Sequence, residues 1–207
     1  KYGARRRSDI FVDEVRAWAG GLNWVKLANY GPAVDLNGWS LVFYDIPGTA
    51  TTYAITGPSP LNTGETMWLA EGAGTTFYAG SPYGAPDNRH RNMGISLGWA
   101  NSAPYGGEII LRDGGLRARD YLPFGTPGQP HLPPEMRGFG PDLGPITTST
   151  TDLYRSTDIN TNSATDWTIS GTFTGSAQWN GLNPNQQGPS RRQNQVGGTG
   201  NLFQNCT

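Results

Sequence analysis

Two short stretches of the chain carry residue types at spacings that could do chemistry. Gly94-Ile95-Ser96-Leu97-Gly98 has the G-x-S-x-G spacing of a nucleophile elbow. That device sets a serine on a strained strand-to-helix turn in a parallel α/β sheet, with an acid and a histidine later in the chain. Here the pattern lies between runs that read as β-strands, and the later histidine, His131, sits in a proline-rich stretch, so hydrolase chemistry is not expected. Asp158, Asn160 and Asn162, followed by Asp166, place oxygen-bearing side chains at alternate positions, as a loop wrapping Ca²⁺ does. Ser163 stands where such a loop has glycine, and Ile169 where it has its bidentate glutamate. The four residues are therefore read either as a Ca²⁺ site or as an Asx-rich turn that caps its own backbone ahead of a strand. No other cofactor is expected.

The remaining polar groups point to contact rather than reaction. His90 and His131 stand apart in the sequence, which argues against a histidine metal or acid/base site, and Arg89-His90-Arg91 with Asp87 reads as a solvated loop tip. Asp13, Glu14, Glu65 and Glu71 are distributed over runs that give no pair at glycosidase separation. Arg5, Arg6 and Arg7 form a short basic start, suited to a phosphate or to a neighbour's carboxylates. The single cysteine, Cys206, excludes an internal disulfide framework and leaves pairing between chains. Asn205-Cys206-Thr207 fits an N-glycosylation acceptor by pattern alone.

The elements that must position these groups follow from composition. Thirty glycines and 16 prolines in 207 residues, without a three-residue period, exclude collagen and argue against a helical protein. Apolar residues are 35% and aromatics 11%, with seven tryptophans, so large side chains build the core. The net charge of −1 lacks the footprint of a nucleic-acid binder, and no run is long enough for a membrane span. Thirteen of the 15 cations are arginine, which suits planar pairing in desolvated contacts and equally a GC-rich genome. The chain opens at Lys1 rather than Met, as a processed form or fragment would.

From Asp9 to about Tyr121, short apolar or β-branched runs are each closed by Gly, Pro, Asn or Asp, the rhythm of an all-β sandwich. The runs are DIFVDEVRAW, LNWVKLANY, WSLVFYDI, TTYAIT, TMWLAE, GISLGW and EIILRDGGLRARDYL, the last with a hairpin signal at Asp113-Gly114-Gly115. Residues 122–147 hold seven prolines, including Pro133 and Pro134, and read as an extended arm. TDLYRSTD and DWTISGTFTG return to strand and turn. Beyond Trp179 the chain has almost no apolar residues until Leu202 and Phe203 and reads as a tail. The expected organisation is an arm over 1–8, a sandwich over 9–179 with a proline-rich insertion at 122–146, and a tail over 180–207.

Glu14-Val15, then Asn23-Trp24-Val25-Lys26-Leu27-Ala28-Asn29, then Val34-Asp35-Leu36-Asn37-Gly38-Trp39-Ser40-Leu41 resemble the opening pattern of the lamin tail domain family. LNTGETMWLAEG, GGEIILRDGGLRARDYLPFG and STDINTNSATDWTI are similar to later parts of that pattern. The family commonly has glutamate where Lys26 stands, so one exposed strand position is expected to have reversed charge. The resemblance implies an immunoglobulin-like β-sandwich of lamin-tail type, with binding or structural roles rather than catalysis. Trp24, Val25, Leu27, Leu36, Trp39 and Leu41 read as scaffold, Gly38 as the residue permitting a tight turn, and Asp35 as an acceptor for backbone N–H groups there.

Together these readings predict a non-enzymatic structural subunit, extracellular or at the cell surface. It would join copies of itself into a filament, sheath or shell by sandwich packing and exchange of arms. The arm residues expected to take part are Arg5, Arg6, Arg7, Pro133, Pro134, Arg191, Arg192, Phe203 and Cys206. The competing expectations are a secreted module that binds a cell-surface glycan or protein through Trp99, Tyr83 and Tyr105, and an outer protein of a virus particle.

Overall fold

Apolar side chains at every second position make strands with one face to bury, and the runs described above bury it by pairing into sheets. The structure is a computed structural model that describes residues 10–18, 23–45, 47–72, 90–100, 106–125, 131, 143, 150–155 and 164–170. Its strands are β1 (Ile10–Trp18), β2 (Trp24–Asn29), β3 (Val34–Asp35), β4 (Ser40–Asp45), β5 (Ala50–Ala54), β6 (Pro60–Leu61), β7 (Thr66–Ala70), β8 (His90–Asn92), β9 (Gly106–Arg112), β10 (Ala118–Gly125), β11 (Thr150–Arg155) and β12 (Trp167–Ser170). The regular structure among the described residues is β-strand, with 3-10 turns at Gly98–Ala100 and Ala164–Asp166. No helix among them is long and apolar enough to cross a membrane.

Six strands pair in the order β12-β11-β1-β2-β7-β8, four in the order β10-β9-β4-β5, and β3 with β6 forms a two-stranded ribbon. Pairing is antiparallel except between β7 and β8. The two larger sheets face each other across one core. Val15, Val25, Leu27 and Leu69 of the first meet Leu41, Ile109, Leu111 and Leu122 of the second, all 0% exposed. At about 25 cal/mol per Å² of apolar area, this interior is the main term holding the sheets together.

Two bulges shape the sheets. Val12 lies opposite Leu27 and Glu14 opposite Lys26, so Asp13 is an extra residue in β1. Because of it, Val12 and Val15 both point into the core, and the consecutive Asp13 and Glu14 are left on the outer side. Ala118 lies opposite Arg112 and Asp120 opposite Leu111, so Arg119 is the extra residue in β10. That bulge puts Asp120, 1% exposed, on the side facing β1.

The turn around Gly38 matches expectation. Gly38 has φ +82°, and Asp35 Oδ1 accepts from the N–H groups of Asn37 at 2.9 Å and Ser59 at 2.8 Å. The hairpin at Asp113 also forms, its Oδ1 accepting from Gly115 and Arg117 N–H at 2.9 and 3.0 Å. Burial works to raise the Asp113 carboxyl, but the backbone donor of Arg117, the Arg119 side chain and the Gly115 donor outweigh it and hold it below its ordinary value.

Three expectations need correction. GISLGW is not a strand, because Gly94 has φ +69° and the segment runs through irregular backbone into the 3-10 turn. The arm does not begin at Leu122, since β10 continues to Gly125 with Pro123 opposite Glu108 in the ladder. A proline is tolerated there because β10 is a sheet edge. Trp99 is not an exposed platform for a glycan. It is 1% exposed and packs against Phe43 and Phe124 at ring separations of 5.5 and 5.1 Å. Tyr83 and Tyr105 lie outside the described residues.

Gly107 leaves room for the Trp99 ring, because a Cβ there would stand 2.5 Å from Trp99 Cδ1 and from the Tyr44 carbonyl oxygen. We therefore expect Gly107→Ala to cost about 1–3 kcal/mol through overpacking, read as a lowered Tm. Leu116 is the opposite case, with φ +62° and 68% exposure at the hairpin tip. Leu116→Gly should relieve left-handed strain and raise stability by roughly 0.5–1 kcal/mol, measured by denaturant unfolding.

Candidate functional site

Four polar groups in the described residues lie away from the turns, one between the sheets, two on their outer sides and one at the end of the sandwich. The first lies between the sheets. The ladder between β1 and β11 ends at Glu14 and Tyr154, leaving the backbone of Val12 beyond it. Asp120 Oδ2 accepts from Val12 N–H at 2.9 Å, and Arg155 Nε donates to the Val12 carbonyl at 2.8 Å. Arg155 also donates to Asp120 Oδ2 at 3.0 Å and lies 3.7 Å from Asp166 Oδ2. Its guanidinium is 4.6 Å from the Trp167 ring centroid and 5.3 Å from that of Phe11. A planar cation that bonds in its own plane and stacks on two rings is a use of arginine that lysine cannot fill.

The second group lies on the outer side of the six-stranded sheet. Lys26, on β2, lies opposite Glu14 on β1. Its Nζ is 2.5 Å from Glu14 Oε2 and 2.9 Å from Asp13 Oδ2. The Tyr30 hydroxyl donates to Asp13 Oδ1 at 2.7 Å, and the Trp68 ring centroid is 4.9 Å from Nζ. Lys26 is 1% exposed, which corrects the expectation of an exposed strand position. Burial works to push its ammonium down, but the charges of Asp13 and Glu14 and the hydrogen bonds they accept hold it above its ordinary value.

The third group lies on the outer side of the four-stranded sheet. Glu108 accepts from the Tyr121 hydroxyl at 2.7 Å and from His131 N–H at 2.9 Å, and its Oε2 is 2.6 Å from His131 Nδ1. The imidazole stacks on Tyr44 with centroids 3.8 Å apart. Burial first, then the bond to Glu108 and its charge, push the Tyr121 phenol far above its ordinary value, so it stays a donor. His131 is thus not isolated, as its sequence surroundings suggested. A carboxylate orients the ring and ties His131 to the body of the same chain. Leu143, from the same proline-rich stretch, packs into the core.

At one end of the sandwich, Glu71 takes the N–H of Asn23 at 2.7 Å and of Leu97 at 2.8 Å, and Asn23 Nδ2 bonds Glu71 and the Leu97 carbonyl. This fixes the loop that carries the G-x-S-x-G residues. Ser96 follows the edge strand β8 and leads into the 3-10 turn at Gly98–Ala100, and His131 is held by Glu108 on the other sheet. The requirements of a nucleophile elbow are not met by these residues.

Of the Ca²⁺ candidates, Asp166 is described and faces the buried guanidinium of Arg155, so a cation at that carboxylate would stand beside a positive charge. Asp158, Asn160 and Asn162 lie outside the described residues, as do Arg5, Arg6, Arg7, Pro133, Pro134, Arg191, Arg192, Phe203 and Cys206. Among the described residues, no group of three or more His, Cys, Asp or Glu is placed to hold a metal ion. The Lys26 and Glu108 groups escaped sequence reasoning because their members meet across strands. The available signal for the first was a lysine in a strand whose neighbour carries two adjacent carboxylates.

Asp120 and Arg155 are 1% and 3% exposed, and removing one partner leaves the other charged and buried. Asp120→Ala should therefore destabilise the fold by about 3–5 kcal/mol, whereas Asp113→Asn, which keeps the side-chain oxygen and faces a partly exposed Arg119, should cost far less, both read from denaturant midpoints. No protein-family model matches the chain, and comparison with curated proteins gives no match.

Proposed function

We propose that the chain is a non-enzymatic structural subunit, built on an immunoglobulin-like sandwich of lamin-tail type, that joins copies of itself outside the cytoplasm. The fold reading is supported by where the motif residues fall. Glu14-Val15 lie in β1, Trp24 to Asn29 make up β2, and the turn at Gly38 leads from β3 into β4. Asp120, Glu71 and Glu108 each spend their acceptors on the chain's own donors, which is the behaviour of scaffold carboxylates.

The observation that carries the self-association reading is the contrast among sheet edges. β10 carries a bulge and Pro123, β8 has three residues and β12 four. Short length, bulges and proline are devices that stop an edge from pairing with another chain. β5 has none of them. It pairs with β4 over five consecutive residues without a register shift, and Ala50-Thr51-Thr52-Tyr53-Ala54 holds neither charge nor proline. An uncharged, regular edge accepts an added strand through main-chain hydrogen bonds. A strand donated by a neighbour to this edge makes a head-to-tail contact that repeats without closing, and the product is a fibre or tube.

Sedimentation and negative-stain imaging of the full chain should show polymers. Thr52→Lys, at an exposed position of β5, should abolish them while leaving the far-ultraviolet spectrum and Tm of the monomer unchanged. Removal of residues 184–207 should have the same effect if the tail supplies the added strand. A monomeric wild type, or polymers that form equally well with Thr52→Lys, would overturn the reading.

A further inference from the structure

The Lys26 group has more than the parts of an ion pair. A primary amine and two carboxylates meet within 2.9 Å, and Lys26, Asp13 and Glu14 are 1%, 2% and 5% exposed. The bulge at Asp13 creates this meeting, because it turns two consecutive carboxylates toward the one lysine opposite. The three groups are buried together, and a low-dielectric site favours neutral forms over ions.

We propose that Lys26 and Asp13 condense into an intramolecular amide that joins β2 to β1, with Glu14 relaying protons and Tyr30 holding the carbonyl oxygen. The balance needs no outside reactant. One proton of the Lys26 ammonium passes through Glu14 to Asp13 Oδ2, giving a neutral amine beside a neutral acid. The Nζ lone pair attacks Asp13 Cγ, and the Tyr30 hydroxyl, 2.7 Å from Oδ1, stabilises the negative charge that develops there. A second Nζ proton passes through Glu14 to Oδ2, the Cγ–Oδ2 bond breaks, and water leaves. The third proton remains on the amide nitrogen, and Glu14 ends as the carboxylate it began as.

Three features favour the forward direction. The reacting groups are in contact, so near-attack geometry, with reacting atoms about 3–3.5 Å apart, needs only a turn of the Asp13 carboxyl plane. Condensation replaces a buried cation and a buried anion with a neutral amide, which removes their desolvation cost. The product water departs to bulk solvent from a place that excludes it. The carboxylates that hold Lys26 protonated oppose release of its proton to solvent, but not transfer to the carboxylates themselves, which is the transfer the reaction uses. Asp13 is assigned as the reacting acid because Tyr30 polarises it, whereas Glu14 makes the shortest contact to Nζ and is placed to take its proton.

The test is the intact mass of the folded full-length chain, measured after denaturation. The expected mass is one water below that of the sequence. Trypsin should fail to cut after Lys26, and the peptide ending at Arg16 should remain joined to the one that spans residues 17–89, with fragmentation placing the link on Asp13. Chain held unfolded from synthesis should carry the full mass and lose water only after refolding. Glu14→Gln, which cannot relay protons, should slow that loss by at least tenfold. Wild type with a native spectrum that keeps the full mass after prolonged incubation would overturn the proposal. So would a link through Glu14, or a water loss confined to Asp113-Gly114, where an aspartate can cyclise on its own backbone.

Discussion

Val12 occupies the place where β1 leaves the β11 ladder, and both of its backbone groups are satisfied by side chains rather than by a strand. Asp120 takes the N–H and Arg155 takes the carbonyl, while the two side chains bond each other. A buried peptide group without partners costs free energy comparable to a lost hydrogen bond, so the bulge in β1 is affordable only with this pair in place. Much else follows from the bulge. It keeps Val12 and Val15 in one core, it aligns Asp13 and Glu14 on the outer side, and it requires an aspartate on the facing strand, which the second bulge in β10 supplies. The two irregularities are complementary, one presenting a backbone and the other the carboxylate that reads it.

The legibility of this architecture in the sequence was uneven for physical reasons. Alternation and turn chemistry are local, so β1, β2, β4, β5, β7 and the tip of the β9–β10 hairpin could be read within a residue or two, as could the turn at Gly38, although the end of β10 was not. Bulges are not local. Nothing in DIFVDEV announces that Asp13 is the extra residue, since that depends on which partner each neighbour finds. The burial of Lys26 depends on the same fact, and for that reason its surroundings were misjudged. His131 was misread because its neighbours in the sequence are prolines and glycines, whereas its partner Glu108 lies on a strand 23 residues earlier. Trp99 was misread because its burial depends on the absence of a side chain at Gly107, a residue on another strand.

The outer sides of both sheets carry chemistry that a sandwich does not need for its core. One holds an amine between carboxylates, the other a histidine held by a glutamate and stacked on a tyrosine. Both use strands whose inner residues are packed to zero exposure, so the polar groups are built on the most rigid part of the molecule. Groups placed this way are preorganised, and they keep their distances without reorganisation when a proton moves.

The grip on Val12 also bears on how the chain acquires its shape. Asp120 is 108 residues away along the chain and Arg155 is 143, so neither contact can form until the chain has been made that far past Val12. Contacts of such long range are formed only after large loops have closed, and proteins dominated by them fold slowly. During synthesis β1 and β2 can pair early, but the bulge between them stays unsupported until β11 has left the ribosome. β1 is thus among the last of the described strands to be secured, and the nascent chain passes through a long interval in which β1 and β2 have pairing without closure.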